Sequence, residues 1–184
     1  MLDTGQVFKD NLIEALKQIN QYVLLGLGTS ASALALALNT ADVGPQGVSV
    51  PGAFVALNPH AARNVLLVVC MLAGLVATFA AEWAVVIAKQ LESTPELLVA
   101  VCSYPCFATS TDPGVRYVSS LLPFFLSATA VLLPALHQNP FPSSAVSFWL
   151  TGLFLPYFTL AKFLRKPIGD VWVSVPKKAE TTEK

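Results

Sequence analysis

Four apolar runs, at 22–38, 65–88, about 116–136 and 145–164, constrain this chain more than any other feature of its sequence. A hydrocarbon core of about 30 Å needs about 20 mostly apolar residues in a helix. Helices are the natural reading because each span must satisfy its own backbone hydrogen bonds. Tyr22–Leu38 carries no charge but is short; Val65–Ala88 carries only Glu82. The third run contains Pro123 and Pro134, and the fourth contains Pro156 and ends near Lys162. In 184 residues of which only 12% are charged, with mean hydropathy +0.62, too little polar sequence remains to cover four such runs in water. The expected fold class is all-α: a polytopic membrane protein with four transmembrane helices, forming one domain over residues 1–166 and a tail over 167–184. Proline is tolerated inside a membrane span, so bends rather than breaks are expected near Pro123 and Pro156.

Charge separates the two sides. Eleven basic against eleven acidic residues leave no excess to neutralise phosphates, which argues against a nucleic-acid partner. Ten of the eleven basic residues fall on one side of the four-span arrangement, and Arg63 is the exception. The positive-inside bias then puts both termini in the cytoplasm. A bacterial inner membrane is the favoured location, an organellar membrane the alternative. Ala-Leu-Ala steps near 35–37 resemble a signal-peptide cleavage site. The segment before them mixes Asp3, Asp10 and Glu14 with Lys9 and Lys17, so it lacks a basic n-region and the first span is expected to be retained.

Gly26, Ser30, Ala33 and Ala37 recur every three or four residues on the first span, and Ala73, Ala77, Ala80 and Ala84 repeat the device on the second. Small residues let backbones approach closely, and close packing associates helices in lipid. The two seams are expected to meet each other or identical seams of a neighbouring chain. The fourth span instead carries Phe148, Trp149, Phe154, Tyr157, Phe158 and Phe163, a set suited to lipid contact and interfacial anchoring. The short connection from His137 to Ser143 makes spans three and four antiparallel neighbours.

Outside the spans, residues 4–22 read as an amphipathic cytoplasmic helix with Phe8, Leu12, Leu16, Ile19 and Val23 on one face. Its polar face is not cationic, which favours packing on another protein over lying among headgroups. The 39–64 connection is unusually apolar, with Val48, Val50, Phe54, Val55 and Leu57, and is expected to fold over the outer ends of the bundle. Ser93-Thr94-Pro95-Glu96 is a helix-start signal, although Leu97–Val101 also suits a buried strand. Val171, Val173 and Val175 give the tail a period-two, strand-capable pattern, and its last residues read as a solvated end.

Glu82 is the one acidic group inside a span, with Thr78 and Lys89 roughly on the same stripe. An intramembrane carboxylate raises the reading of a proton or cation site. The plainer reading, which is favoured, puts Glu82 near the cytoplasmic boundary beside interfacial Trp83. Cys102 and Cys106 are spaced unlike a redox pair, and with Cys70 they imply no disulfide framework. His60 and His137 share the outer side but supply only two ligands, too few for a structural metal site. No phosphate loop, Ser-His-Asp set or His-Glu-x-x-His motif occurs; no catalytic residue, cofactor or metal is expected.

The favoured function is therefore a non-catalytic integral membrane subunit. It acts by helix–helix association in the bilayer, as a homo-oligomer or with a protein partner on the cytoplasmic side. The alternative is an oligomeric channel or membrane-perturbing effector, with Ser30, Thr78, Ser127 and Thr151 lining a pore at the subunit interface. A transporter ranks third, because no internal repeat is evident.

Overall fold

The computed structural model describes residues 4–39, 48–49, 56–91, 97, 101, 104–110, 112–138, 140 and 142–165. It contains four long helices: α1 (Thr4–Asn39), α2 (Pro59–Gln90), α3 (Pro113–Ala135) and α4 (Ser143–Arg165). All four are long and apolar enough to cross a membrane. A two-residue antiparallel ladder, β1 (Val48–Ser49) with β2 (Ala56–Leu57), pairs Val48 with Leu57 and Ser49 with Ala56; it is the only β pairing among the described residues. The 167–184 tail and most of the apolar 39–58 connection lie outside the described residues. Leu97 and Val101 are helical, and the rest of 92–100, including Ser93-Thr94-Pro95-Glu96, lies outside the described residues.

Helix starts follow local chemistry that extends them beyond the apolar runs. The Asn58 side chain accepts from the His60 N–H at 3.0 Å, and Pro59 occupies a position whose N–H would be unpaired in any case, so α2 begins six residues before Val65. Asp112 and Pro113 repeat the arrangement at α3, with the Asp112 carboxylate accepting from the Gly114 N–H at 2.7 Å. The helices continue through Pro123 in α3 and Pro156 in α4.

The amphipathic stretch expected over 4–22 is the first half of α1, continuous with the span that follows it. Leu12, Leu16, Ile19 and Val23 are fully buried by this chain's own residues, whereas the sequence favoured another protein as their cover. The segment before α3 supplies part of that cover. There a 3-10 turn, Phe107–Thr109, is capped by the Cys106 sulfur, which accepts from the Ala108 N–H at 3.4 Å, and the Cys106 thiol donates to the Leu16 carbonyl at 3.2 Å.

Around the bundle the order is α1, α2, α4, α3. Each helix packs on its two neighbours, the α1–α2 pair most extensively, while the α2–α3 diagonal touches little. Ser30, Ala33, Ala73, Ala77 and Ala84 are almost wholly buried, with Gly26, Ala37 and Ala80 buried too. Tyr157 departs from the lipid-facing role read for the aromatic residues of α4. Phe148, Phe154 and Phe158 are exposed, but Tyr157 is 0% exposed. The physical reason is a polar partner inside the bundle that a phenylalanine would not need.

Candidate functional site

That partner is the backbone of α2. The Tyr157 hydroxyl donates to the Cys70 carbonyl at 2.7 Å and lies 3.3 Å from the Cys70 sulfur. The same sulfur lies 3.2 Å from the Ser127 hydroxyl and 3.6 Å from the Gly26 carbonyl. One buried node centred on Cys70 of α2 thus joins all four helices, through Tyr157 of α4, Gly26 of α1 and, across the α2–α3 diagonal, Ser127 of α3. Two glycines make room for the ring. A Cβ on Gly74 would sit 2.9 Å from Tyr157 ring carbons, and one on Gly26 would collide with its hydroxyl. Of the node residues, the sequence singled out Gly26 for packing, Ser127 only for the channel alternative and Tyr157 for lipid contact; the available signal was a tyrosine, the only side chain of the α4 aromatic set that must place a hydroxyl.

The node also fixes relative depth. Glu82 lies about 18 Å along α2 from Cys70, Arg116 about 17 Å back along α3 from Ser127, and Glu14 about 18 Å back along α1 from Gly26, at about 1.5 Å per residue. A second register bond joins α2 to α4: the Thr78 hydroxyl donates to the Pro156 carbonyl at 2.9 Å and to Gly74 at 2.8 Å. Glu82 follows Thr78 by about 6 Å and Lys162 follows Pro156 by about 9 Å. Glu14, Glu82, Arg116 and Lys162 therefore stand at nearly one level, at one end of the apolar section. The structure separates the three residues read as one stripe. Thr78 turns inward onto α4, while Glu82 and Lys89 are exposed and make no ion pair among the described residues.

Glu82 shares its outward face with Phe79, 67% exposed, and Trp83, 61% exposed. Lys162 is exposed on α4 beyond Phe158. Arg116, by contrast, is buried and donates to the Ser110 carbonyl at 2.5 Å, closing the preceding loop onto the start of α3. At the opposite end, His60 and His137 line one depression of about 420 Å³ between the C-terminal turns of α1 and α3 and the start of α2. No group of three metal-ligating side chains occurs among the described residues. Cys70 and Cys106 are free thiols; Cys102 lies outside the described residues. Ser30 and Ser127, read as pore-lining in the channel alternative, are inside the bundle at 0% exposure.

No protein-family model, curated protein or solved structure matches the chain.

Proposed function

We propose that this chain is a non-catalytic membrane subunit that works by self-association, with the Glu82 face of α2 in one copy meeting the Lys162 face of α4 in the next. The observation that carries this reading is the matched depth of two exposed, opposite charges on different helices, set by the Thr78–Pro156 hydrogen bond. The small-residue seams support it indirectly. They are buried inside the bundle, so association uses the outward faces. An ion pair bordered by Phe79 and Trp83 on one side and Phe158 on the other is partly desolvated, which strengthens it relative to a surface pair. Because α2 and α4 are different surfaces, the contact is heterologous and repeats into a ring if its rotation closes.

The charged level then lies at the cytoplasmic boundary, with both termini on that side, by the excess of basic residues there. The turns of α1 before Glu14 extend into the cytoplasm as the start of an amphipathic helix, and the membrane is a bacterial inner membrane. The channel reading needs a pore at the subunit interface and keeps Thr151 as an exposed hydroxyl, but Ser30 and Ser127 do not reach that surface.

Two differently tagged copies are co-expressed and purified in mild detergent. Co-purification is expected for the wild type. Glu82→Lys or Lys162→Glu alone weakens it, and the double reversal restores it. Copies carrying E82C and copies carrying K162C are expected to crosslink to each other at dimer mass. A monomeric wild type, or crosslinking confined to single chains that carry both cysteines, would overturn the reading.

A further inference from the structure

The cavity at the end of the bundle opposite Glu82 contains a cation without a partner. Arg63 is half-buried in the second turn of α2, and its Nε and Nη1 are buried with no hydrogen-bond partner. A guanidinium keeps its charge at any ordinary pH. Leaving its donors dry and unbonded is costly, so such a group calls for an anionic acceptor. None of the described residues at this end is acidic; Asp42, the one acid of the 40–58 connection, lies outside them.

Arg63 lines a cavity of about 190 Å³ where the start of α2, the end of α3 and the start of α4 converge. Asn64 and Gln138, both exposed, add amide donors at its rim. Leu67, Val131 and Val146 give it an apolar floor, and Trp149 forms one wall. A forked cation with amides above and aliphatic side chains below is the layout that recognises a phosphate group attached to an apolar body. Tryptophan beside it is the residue enriched at headgroup depth.

We infer that the Arg63 cavity binds a phosphate oxyanion, with the guanidinium as the principal donor and Asn64 and Gln138 completing the cradle. The phosphate comes either from the headgroup of a membrane phospholipid or from free inorganic phosphate, and the two sources are separable. This site is independent of self-association, which uses the other end of the bundle.

The test is native mass spectrometry of the full chain, purified in detergent, delipidated and titrated with dioleoylphosphatidylglycerol or with inorganic phosphate. Each is run against the wild type, Arg63→Gln, Arg63→Lys and Ala145→Phe. Ala145 lines the cavity yet is exposed, so the phenylalanine fills the site while leaving Arg63 in place. The lipid is expected to bind the wild type about tenfold more tightly than Arg63→Gln, the scale of one charge-assisted hydrogen bond. Arg63→Lys falls between them, and Ala145→Phe binds as weakly as Arg63→Gln. Lipid binding that millimolar phosphate leaves in place identifies a headgroup; phosphate that binds alone and displaces the lipid identifies the free anion. A wild type that takes up neither probe, as it would if Asp42 already paired with Arg63, overturns the inference. So does equal binding by the wild type and the variants. Unchanged thermal midpoints of the lipid-free variants show that a loss of binding is not a loss of folding.

Discussion

The Tyr157 hydroxyl reaches the Cys70 carbonyl at 2.7 Å through a gap left by Gly26 and Gly74. In lipid there is no hydrophobic drive to bring helices together, so contact of this kind, close packing plus an interhelical hydrogen bond, carries the association. Tyr157→Phe removes the bond and keeps the ring. It is expected to cost about 0.6–1 kcal/mol, read as a lower thermal midpoint in detergent. Gly26→Ala, which drives a methyl group against the same hydroxyl, is expected to cost more. The informative variant is the double one: removing the hydroxyl relieves the collision, so Gly26→Ala with Tyr157→Phe should be less destabilised than the sum of the two. Simple additivity would show that the hydroxyl does not occupy that gap.

Gly74 and Gly28 give a matched pair. A Cβ on Gly74 meets the Tyr157 ring at 2.9 Å and Pro156 at 3.3 Å, whereas one on Gly28 meets nothing within 4 Å. Gly74→Ala overpacks a closed contact and is expected to destabilise by about 1–3 kcal/mol. Gly28→Ala gains helix propensity at no steric cost and is expected to be neutral or slightly stabilising. Equal midpoints for the two variants would contradict the placement of Tyr157 between α1 and α2.

Burial pushes the Cys106 thiol above its ordinary range, against backbone hydrogen bonds from Ala108, Thr109 and Phe107 that act the other way. At neutral pH it is therefore a thiol donor to the Leu16 carbonyl, not a reactive thiolate. Alkylation followed by peptide mapping is expected to be slower at Cys106 than at a free cysteine between pH 7 and 9, with the rate rising only at higher pH. The linkage has the same sign. The folded value lies above the unfolded one, so the stabilising contribution is complete below the ordinary cysteine value and is lost as pH rises through the higher folded value. Rapid labelling of the folded chain at pH 7 would refute this.

The long features of the fold were legible because each rests on many residues. Four apolar runs specify four helices whatever their exact partners, and the three-four spacing of Gly26, Ser30, Ala33 and Ala37 marks one face of one helix. What escaped depends on single side chains acting over distance. Tyr157 belongs by composition with Phe154 and Phe158, and only its hydroxyl, satisfied by a backbone carbonyl 87 positions away, takes it into the core. Cys106 looked like half of a failed redox pair; its role as a cap and as a donor to α1 requires knowing that the loop folds back on Leu16. The starts of α2 and α3 were readable locally, since Asn58-Pro59 and Asp112-Pro113 are helix-start pairs, but hydropathy alone begins each helix later. Counting residues along α2 was enough to put Glu82 near one end of its span, but its level relative to Lys162 was not legible, because that is set by a bond between helices.

Arg63 and Glu82 are about 28 Å apart along α2 at about 1.5 Å per residue, close to the thickness of a hydrocarbon core. If these two charges bracket the buried section, water-soluble maleimide should read it directly in sealed, inside-in vesicles. Asn64→Cys, beside Arg63 and exposed, is expected to label from the outside. Glu82→Cys should label only once the vesicles are opened. Leu72→Cys, which is 51% exposed in the structure and midway between them, should stay unlabelled in both conditions because its exposure is to lipid. Each is scored on its own peptide, so the native thiols do not interfere. Labelling of position 72 from either side would place water where the bundle is read as facing lipid and would favour a polar path along α2; labelling of 64 and 82 from the same side would mean that α2 does not cross.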